Sequence, residues 1–215
     1  MGNHGERGLS AYLDEVAAGT PAPGGGSVAA VVGALAAALG EMVANLTLGR
    51  EKYAAADATL RPARDRLTAL RASLLEGAAA DEAAYQTYQD AARLPRTSES
   101  EKTARTAAMQ RALIAATDVP LGVIRSVREV AEILATVARE GNPHVRSDAA
   151  LGALLAETAL RGALLNVRGN AAMLEDRELA MIYLTDADLL EEAGREAAQH
   201  AYRAAMGASE QGEFC

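Results

Sequence analysis

The stretch TPAPGGGSVAAVVGALAAALG, residues 20–40, joins a turn rich in proline and glycine to an apolar segment without charge. Prolines and consecutive glycines end any helix that arrives from the N-terminal side. Ser27 follows them and is a favourable N-cap residue, so the sequence predicts a helix from Ser27 to about Gly49. The charge-free part, residues 28–40, is shorter than the roughly 20 residues needed to cross a bilayer. It is therefore predicted to be a buried core helix, and no membrane partner is expected.

The composition favours helices throughout the 215-residue chain. Half of the residues are hydrophobic, only 3% are aromatic, and alanine is frequent in most segments. Alanine has the highest helix propensity, whereas strands are rich in β-branched and aromatic residues. The predicted fold class is therefore all-α, a multi-helix bundle that forms a single domain over residues 1–215.

Turn and capping signals divide the rest of the chain into further helices. Ser98 and Glu101 have the spacing of a capping box, in which each side chain satisfies a backbone N–H of the first turn. Pro120 is expected to interrupt the helix that starts there, because proline lacks the N–H that a helix interior needs. The predicted helices cover residues 7–18, 54–94 with a break, a kink or a first turn at Pro62, 98–117, 120–140, 147–167 capped by Ser147 or Asp148, and 186–207.

The segment that follows Pro120 carries a regular row of apolar side chains. Their spacing alternates between four and three residues, which places them on one face of a helix. We expect this row in the core or in a homodimer interface, although a partner helix could also bind it. Its members are Val123, Val127, Val130, Leu134 and Val137.

The charge balance argues against an extended nucleic-acid surface. The formal net charge is −8, whereas phosphate contacts require clustered lysine and arginine. A single cysteine, Cys215, cannot form an internal disulfide, and no secretory segment is visible, so a cytoplasmic location is expected. His4, His144 and His200 lack the spacing of metal ligands, so no metal site is predicted.

Two interpretations of the glycine run remain open. The N–H groups of Gly24, Gly25 and Gly26, at a helix start, can bind an anion with help from the helix dipole. Alternatively, the glycines only let the chain approach a neighbouring helix closely. No lysine follows the run as in a nucleotide-binding P-loop, and no strand precedes it, so a nucleotide-binding motif is not indicated.

Six motifs follow one another along the chain: TPAPGGGSVAA, MVANLTLGREKY, DEAAY, RLPRTSESEK, VPL and GNPHVRSDAALGA. Together they resemble the cyclodeaminase/cyclohydrolase family of one-carbon folate enzymes, over a core of about residues 8–205. The family includes free-standing methenyltetrahydrofolate cyclohydrolases and the C-terminal half of formiminotransferase-cyclodeaminase. The resemblance implies a homodimer of all-helical subunits that binds folate in a cleft beside the glycine run, without a metal or redox cofactor. It weakens after about Asn170.

The resemblance also implies a catalytic residue, Asp81, at the start of the DEAAY motif. A carboxylate suits the cationic carbon centre of methenyltetrahydrofolate and can transfer protons there. The alanine-rich surroundings of Asp81 would let a substrate approach, and partial burial would raise its pKa toward a useful range. The alternative is that Asp81 belongs to a solvated helix face.

Further residues are implied in substrate binding. Neutral amides can hydrogen-bond a pterin ring or orient a water molecule, and cationic side chains can bind the glutamate or polyglutamate tail of folate. Each has an alternative role. Asp148 could be an N-cap, and Asn166 could bind a protein partner. Arg50 and Lys52 could be ordinary surface charges. The implied set is Gly24, Gly25, Gly26, Ser27, Asn45, Arg50, Lys52, Asp148 and Asn166.

The expected reaction is hydrolysis of 5,10-methenyltetrahydrofolate to 10-formyltetrahydrofolate. The same residues would also serve a formiminotetrahydrofolate cyclodeaminase, which releases ammonia. We favour the cyclohydrolase because no formiminotransferase half accompanies the chain. The alternative from another class is a non-catalytic folate-binding or helical interaction protein.

Overall fold

The structure, a computed structural model, describes residues 8–207, and these form six α-helices joined by short turns, without a strand. The all-α fold class is confirmed for this part of the chain. Two 3-10 turns, Glu51–Ala56 and Pro143–Val145, precede the third and fifth helices. The helices are α1 Leu9–Ala17, α2 Gly25–Asn45, α3 Asp57–Ala92, α4 Glu99–Glu140, α5 Arg146–Ala172 and α6 Arg177–Ala205.

Helix α2 packs against α3, α4 and α5. Its small residues let these neighbours approach closely. A Cβ atom on Gly33 would lie 2.6 Å from Cγ2 of Val127, and one on Gly40 would lie 2.8 Å from Cδ1 of Leu67. Both distances are too short for real carbon atoms, so a larger residue at either crossing would force a neighbouring side chain to move. The crossings fix α2 beside α3 and α4 along its length.

The apolar row of α4 forms the centre of the core. The five side chains from Val123 to Val137 are 0–4% exposed. They pack with buried leucines of α3 and α5, including Leu67 and Leu160. The row is therefore used inside the chain and is not available to a partner helix.

Pro120 does not interrupt α4, which continues for 42 residues from Glu99 to Glu140. Proline leaves the carbonyl of Ala116, four residues earlier, without its helical N–H partner. The side-chain amide of Asn170 donates a hydrogen bond to this carbonyl at 2.8 Å. Because the carbonyl is satisfied from a neighbouring helix, the break predicted after residue 117 is wrong.

Pro62 also lies inside a helix, in the second turn of α3. The predicted break there is wrong, as is the predicted first-turn position. Pro62 and Ala58, whose carbonyl loses its partner, are both exposed. The carbonyl at this position is open to water, so the helix continues without a protein donor.

Two predicted N-caps are wrong. Helix α2 begins at Gly25 with Gly24 as its N-cap, so Ser27 lies inside the first turn. Helix α5 begins at Arg146, and Asp148 lies in its first turn without capping it. Glycine at the cap leaves the first N–H groups of α2 open to an acceptor from outside the helix.

Three predicted helix ends also differ, one of them the end of α5, which lies at Ala172 rather than near residue 167. Helix α2 ends at Asn45, and the chain then turns through Gly49, whose φ of 73° favours glycine. Helix α6 begins at Arg177 rather than near residue 186, because the Asp176 side chain accepts a hydrogen bond from the N–H of Leu179.

The capping box is confirmed. Glu101 receives the N–H of Ser98 at 2.9 Å, and the Ser98 hydroxyl receives the N–H of Glu101 at 3.2 Å. The predicted stop after α4 is confirmed as well, with Gly141 as its C-cap.

By length and composition alone, α2, α4 and residues 143–172 could each cross a membrane. The prediction from length was wrong for α2, because the 21-residue helix extends beyond its charge-free part. In this fold, 56% of the most apolar window of α2 is buried against other helices. Burial inside the bundle therefore accounts for part of its hydropathy, and the absence of a membrane partner stays a prediction.

Candidate active site

A cavity opens beside the N-terminus of α2, at the point where the glycine run meets three long helices. The run supplies its backbone, α3 supplies a carboxylate and two tyrosines, and α5 supplies two amides. No lysine or arginine is among the described residues that line it. The lining residues are Pro21, Ala22, Gly24, Gly25, Gly26, Asp81, Tyr85, Tyr88, Leu113, Ala116, Asn166, Asn170 and Met173.

Asp81 lies against the first turn of α2. Its Oδ2 accepts a hydrogen bond from the N–H of Ser27 at 2.9 Å. A Cβ atom on Gly26 would lie 2.6 Å from Cγ of Asp81, so only glycine leaves room for the carboxylate. The close approach allowed by glycine is therefore confirmed at Gly26. The helix start also holds an anion, through the N–H of Ser27, while anion binding by the N–H groups of Gly24, Gly25 and Gly26 stays a prediction. The anion is a side chain of the protein itself.

The environment of Asp81 raises the pKa of its carboxyl above the ordinary value. Burial is the largest cause, because it disfavours the charged form. The hydrogen bond from Ser27 opposes this effect, and the negative charge of Glu82 adds to the rise. A carboxyl with a raised pKa, at the edge of a cavity, is suited to exchanging protons with a bound reactant.

Ser27 supports this arrangement from behind the cavity. Its side chain is fully buried, and its hydroxyl donates a hydrogen bond to Oε1 of Glu82 at 3.2 Å. The hydroxyl of Tyr12 lies 3.0 Å from Oγ of Ser27. Since the single Ser27 proton goes to Glu82, Tyr12 is the donor in that second contact. Ser27 therefore holds the helix start and Asp81 in place, and its side chain does not reach the cavity.

Asn166, predicted to bind the substrate, lies beside the glycine run. Its Nδ2 donates to the carbonyl of Gly162 at 2.9 Å, so the amide has a protein partner. A Cβ atom on Gly25 would lie 3.6 Å from the same nitrogen. Asn166 and the three glycines therefore share one cavity with Asp81.

Sequence reasoning missed Tyr85, Tyr88 and Asn170. Tyr85 and Tyr88 follow Asp81 by four and seven residues, and Asn170 follows Asn166 by four. These spacings place each follower on the same helix face as the residue already chosen. That periodicity was the signal available for finding them.

Four predicted substrate-binding residues lie at the opposite end of the bundle. Asn45 is the last residue of α2, which spans about 30 Å at 1.5 Å per residue. Arg50 and Lys52 follow it and are exposed. Asp148 lies in the first turn of α5, whereas Asn166 lies in its last two turns. Within one chain, the structure does not bring these four residues to Asp81.

No three histidine, cysteine, aspartate or glutamate side chains within residues 8–207 are arranged to hold a metal ion. His144 and His200 belong to this part of the chain. His4 and Cys215 lie outside the described residues.

A family model and a curated relative resemble most of this chain. The family model described as formiminotransferase-cyclodeaminase matches residues 8–188. A methenyltetrahydrofolate cyclohydrolase of Methylorubrum extorquens is 42% identical over 191 residues, which cover 88% of this chain and 92% of that protein.

A second relative is longer than this chain. The formimidoyltransferase-cyclodeaminase of Rattus norvegicus is 38% identical over 168 residues, or 78% of this chain, and the match spans only 31% of the rat protein.

A crystal structure has the same fold. The formiminotetrahydrofolate cyclodeaminase of Thermotoga maritima superimposes with a TM-score of 0.84 at 29% sequence identity, over 94% of this chain and 98% of that one. The family resemblance predicted from the six motifs is therefore confirmed, and the chain belongs to the formiminotransferase-cyclodeaminase family.

Proposed function

We propose that this chain hydrolyses 5,10-methenyltetrahydrofolate to 10-formyltetrahydrofolate, with Asp81 as the proton-transfer group. The observation that carries the proposal is the position of Asp81, a carboxyl with a raised pKa against the first turn of α2 in a cavity lined by tyrosines and amides. The name of the 42% identical relative from Methylorubrum extorquens supports the choice of reaction.

The first step is the addition of water to the carbon that bridges N5 and N10. The Asp81 carboxylate takes one proton from the water as its oxygen bonds to this carbon, and the cationic amidinium becomes a neutral tetrahedral carbinol. In the second step the proton goes from Asp81 to N5 and the C–N5 bond breaks. The carbinol hydroxyl loses its proton to solvent and becomes the formyl carbonyl on N10. One water is consumed and one proton is released.

The cavity also suits the charge and shape of this substrate. A carboxylate stabilises a nearby cation, and the bound amidinium would in turn lower the pKa of Asp81 and keep it ready as a base. Tyr85 and Tyr88 offer aromatic surface against which a flat pterin ring can pack.

A second candidate reaction is cyclodeamination of formiminotetrahydrofolate. Here N10 attacks the formimino carbon on N5, and ammonia leaves after receiving a proton. The relative from rat and the structure from Thermotoga maritima carry names of this kind. The chemistry passes through a similar tetrahedral carbon, so Asp81 would serve it in the same way.

Absorbance of the methenyl compound distinguishes these possibilities. We expect the wild-type protein to remove the band well above the spontaneous rate and Asp81→Asn to lose that activity. Asp90→Asn is the matched control, because Asp90 lies on the same helix but is exposed and pairs with Arg93. A band that appears only from formiminotetrahydrofolate would assign the cyclodeaminase reaction. No change with either substrate would favour a non-catalytic folate-binding or helical interaction protein.

A homodimer forms part of this proposal. Helices α2 and α5 carry exposed leucines, Leu35, Leu151 and Leu165, which suit a helical interface. Asn45 is about 30 Å from the glycine run along α2, so any contact it makes with a substrate at Asp81 requires another subunit. We expect a dimer of wild type and a monomer of Leu35→Glu in analytical ultracentrifugation. A wild-type monomer at micromolar concentration would contradict it.

Arg50 and Lys52 would bind tail carboxylates only from a second subunit. We expect a lower KM for polyglutamylated substrate and a rise in that KM for Arg50→Ala; equal KM values for both substrate forms would contradict the tail site.

We place the protein in the cytoplasm, which cell fractionation can check.

A further inference from the structure

The contact between Asn170 and the chain near Pro120 has no part in the chemistry above. Pro120 is buried inside α4, and its missing N–H leaves the Ala116 carbonyl without a helical partner. Both Ala116 and Asn170 line the cavity. The 2.8 Å hydrogen bond between Nδ2 of Asn170 and this carbonyl therefore lies at the cavity wall.

The bond decides which way the Asn170 amide faces. A carbonyl oxygen can only accept, so the NH2 group must point to Ala116. The Oδ1 atom, on the other side of the amide, remains an acceptor and has no hydrogen bond from the described residues. The side chain is thus held in the orientation that offers an acceptor, not a donor, to a ligand.

Two comparisons show why this orientation is specific to Asn170. The Gly162 carbonyl that receives the Asn166 amide lies inside α5 and also has its own helical N–H partner, so it does not depend on the side chain. The carbonyl freed by Pro62 belongs to an exposed residue and can bind water. Within residues 8–207, a freed carbonyl lies at the cavity and receives a side-chain amide only near Pro120.

We propose that Asn170 is a specificity-determining residue, whose amide is oriented by the carbonyl that Pro120 frees so that Oδ1 accepts a hydrogen bond from a ring N–H or amino group of the ligand. The proposal rests on the proposed function, since the pterin ring of folate carries such donors. A ligand with only acceptors at that edge would leave Oδ1 unpaired and bind less tightly.

The orientation of the Asn170 amide can be tested without an activity assay. The urea midpoints of the single and double variants are compared in a double-mutant cycle. Asn170→Ala leaves the freed carbonyl unpaired and is expected to lower the urea midpoint. Pro120→Ala supplies an N–H to that carbonyl, so Asn170→Ala should lower the midpoint much less in that background. Pro62→Ala is the matched control, and its effect should add to that of Asn170→Ala. Additive effects of Pro120→Ala and Asn170→Ala would overturn the proposed orientation.

The ligand contact is tested by KM and kcat for the methenyl compound. We expect Asn170→Ala to raise KM by about tenfold, as for loss of one hydrogen bond, with a smaller change in kcat. Pro120→Ala frees the amide to rotate and should raise KM less. The double variant, with both Pro120→Ala and Asn170→Ala, regains the backbone hydrogen bond of the Ala116 carbonyl. It therefore shows the effect of losing the Asn170 amide on KM in a well-folded protein. An unchanged KM in that variant would overturn the acceptor role.

A failure of the proposed function gives a different pattern. Without turnover by wild type, calorimetric binding of tetrahydrofolate replaces KM, and the same variants are compared. Weaker binding by the double variant than by Pro120→Ala would support the acceptor role for a folate-binding protein. Equal binding by the two variants would overturn it.

Discussion

The two ends of α2 use polar groups in opposite ways. At the C-terminal end, Asn142 donates its N–H to Thr47 at 2.8 Å and accepts from the Tyr53 hydroxyl at 3.0 Å, while Thr47 donates to the Val43 carbonyl at 2.7 Å. At the N-terminal end, the described residues give Asp81 one hydrogen bond, on Oδ2. A network whose members pair with one another stabilises the fold, whereas acceptors without protein partners are available to a ligand.

The largest expected effect is that of Asp81→Asn on the activity. Asparagine keeps the shape and can still accept from Ser27, but it cannot transfer a proton. We expect kcat/KM for the methenyl compound to fall by about 10²- to 10⁴-fold. The Asp90→Asn control should stay near wild type. Retained activity in Asp81→Asn would contradict the distinction between a stabilising C-terminal end of α2 and a catalytic N-terminal end.

Gly26→Ala should damage the N-terminal end through position alone. The added Cβ overlaps the Asp81 carboxylate and forces it away from the helix start. We expect kcat to fall by about 100-fold, a typical result of misplacing a reacting group by about 1 Å. Gly122→Ala is the control for adding a methyl group to a helix, because nothing lies within 4 Å of its Cβ position. Equal rates for the two variants would mean that the Asp81 position tolerates displacement.

Asn142→Ala tests the C-terminal end, where stability rather than activity should respond. The change leaves the Tyr53 hydroxyl and the His144 N–H without their acceptor. We expect the free energy of unfolding to fall by about 1–3 kcal/mol. With kcat measured below the unfolding range, the activity should stay within about twofold of wild type, because the proposed site lies about 30 Å away along α2. A large loss of kcat in the folded variant would show that the two ends are coupled.

The smallest expected effect concerns the pH dependence of stability. The folded-state pKa of Asp81 is raised, so the folded protein holds this proton more tightly than the unfolded chain does. The stability that protonated Asp81 contributes is therefore complete below the ordinary carboxyl pKa of the unfolded chain. It is lost as pH rises through the raised pKa of the folded protein. Asp81→Asn should remove that loss, and urea unfolding between pH 3 and pH 7 can measure the difference. A steeper decline in the variant would contradict the raised pKa.

The acid side of the activity profile follows from the same pKa. As a base, Asp81 must be ionised, so kcat/KM should fall as pH decreases through a value above that of an ordinary aspartate. Asp90→Asn should keep this profile, whereas the residual activity of Asp81→Asn should lack the step.

Local patterns were enough to predict part of the fold. The capping box at Ser98 and the apolar row of α4 depend on residues close in sequence, and both are confirmed. Pro120 was misjudged because its consequence depends on Asn170, which is 50 positions away in the chain. A local rule cannot include a donor from another helix.

The candidate site was predictable only where local motifs marked its residues. Asp81 and the glycine run were identified from motifs, and the cavity contains both. The motifs did not show that Ser27 would be buried behind Asp81, or that Asn45 and Asp148 would lie at the other end. Order along the sequence does not state which end of an antiparallel bundle a residue occupies; the packing of α2 against its neighbours decides it.

The contact between Asp81 and the first turn of α2 has a consequence for inhibition. Helix starts commonly attract phosphate or sulfate, but here a tethered carboxylate already occupies that position. A free anion would have to displace Asp81 and lie beside Glu82. We therefore expect this side of the cavity to discriminate against inorganic oxyanions, and buffer phosphate should be a poor competitor for a cationic substrate.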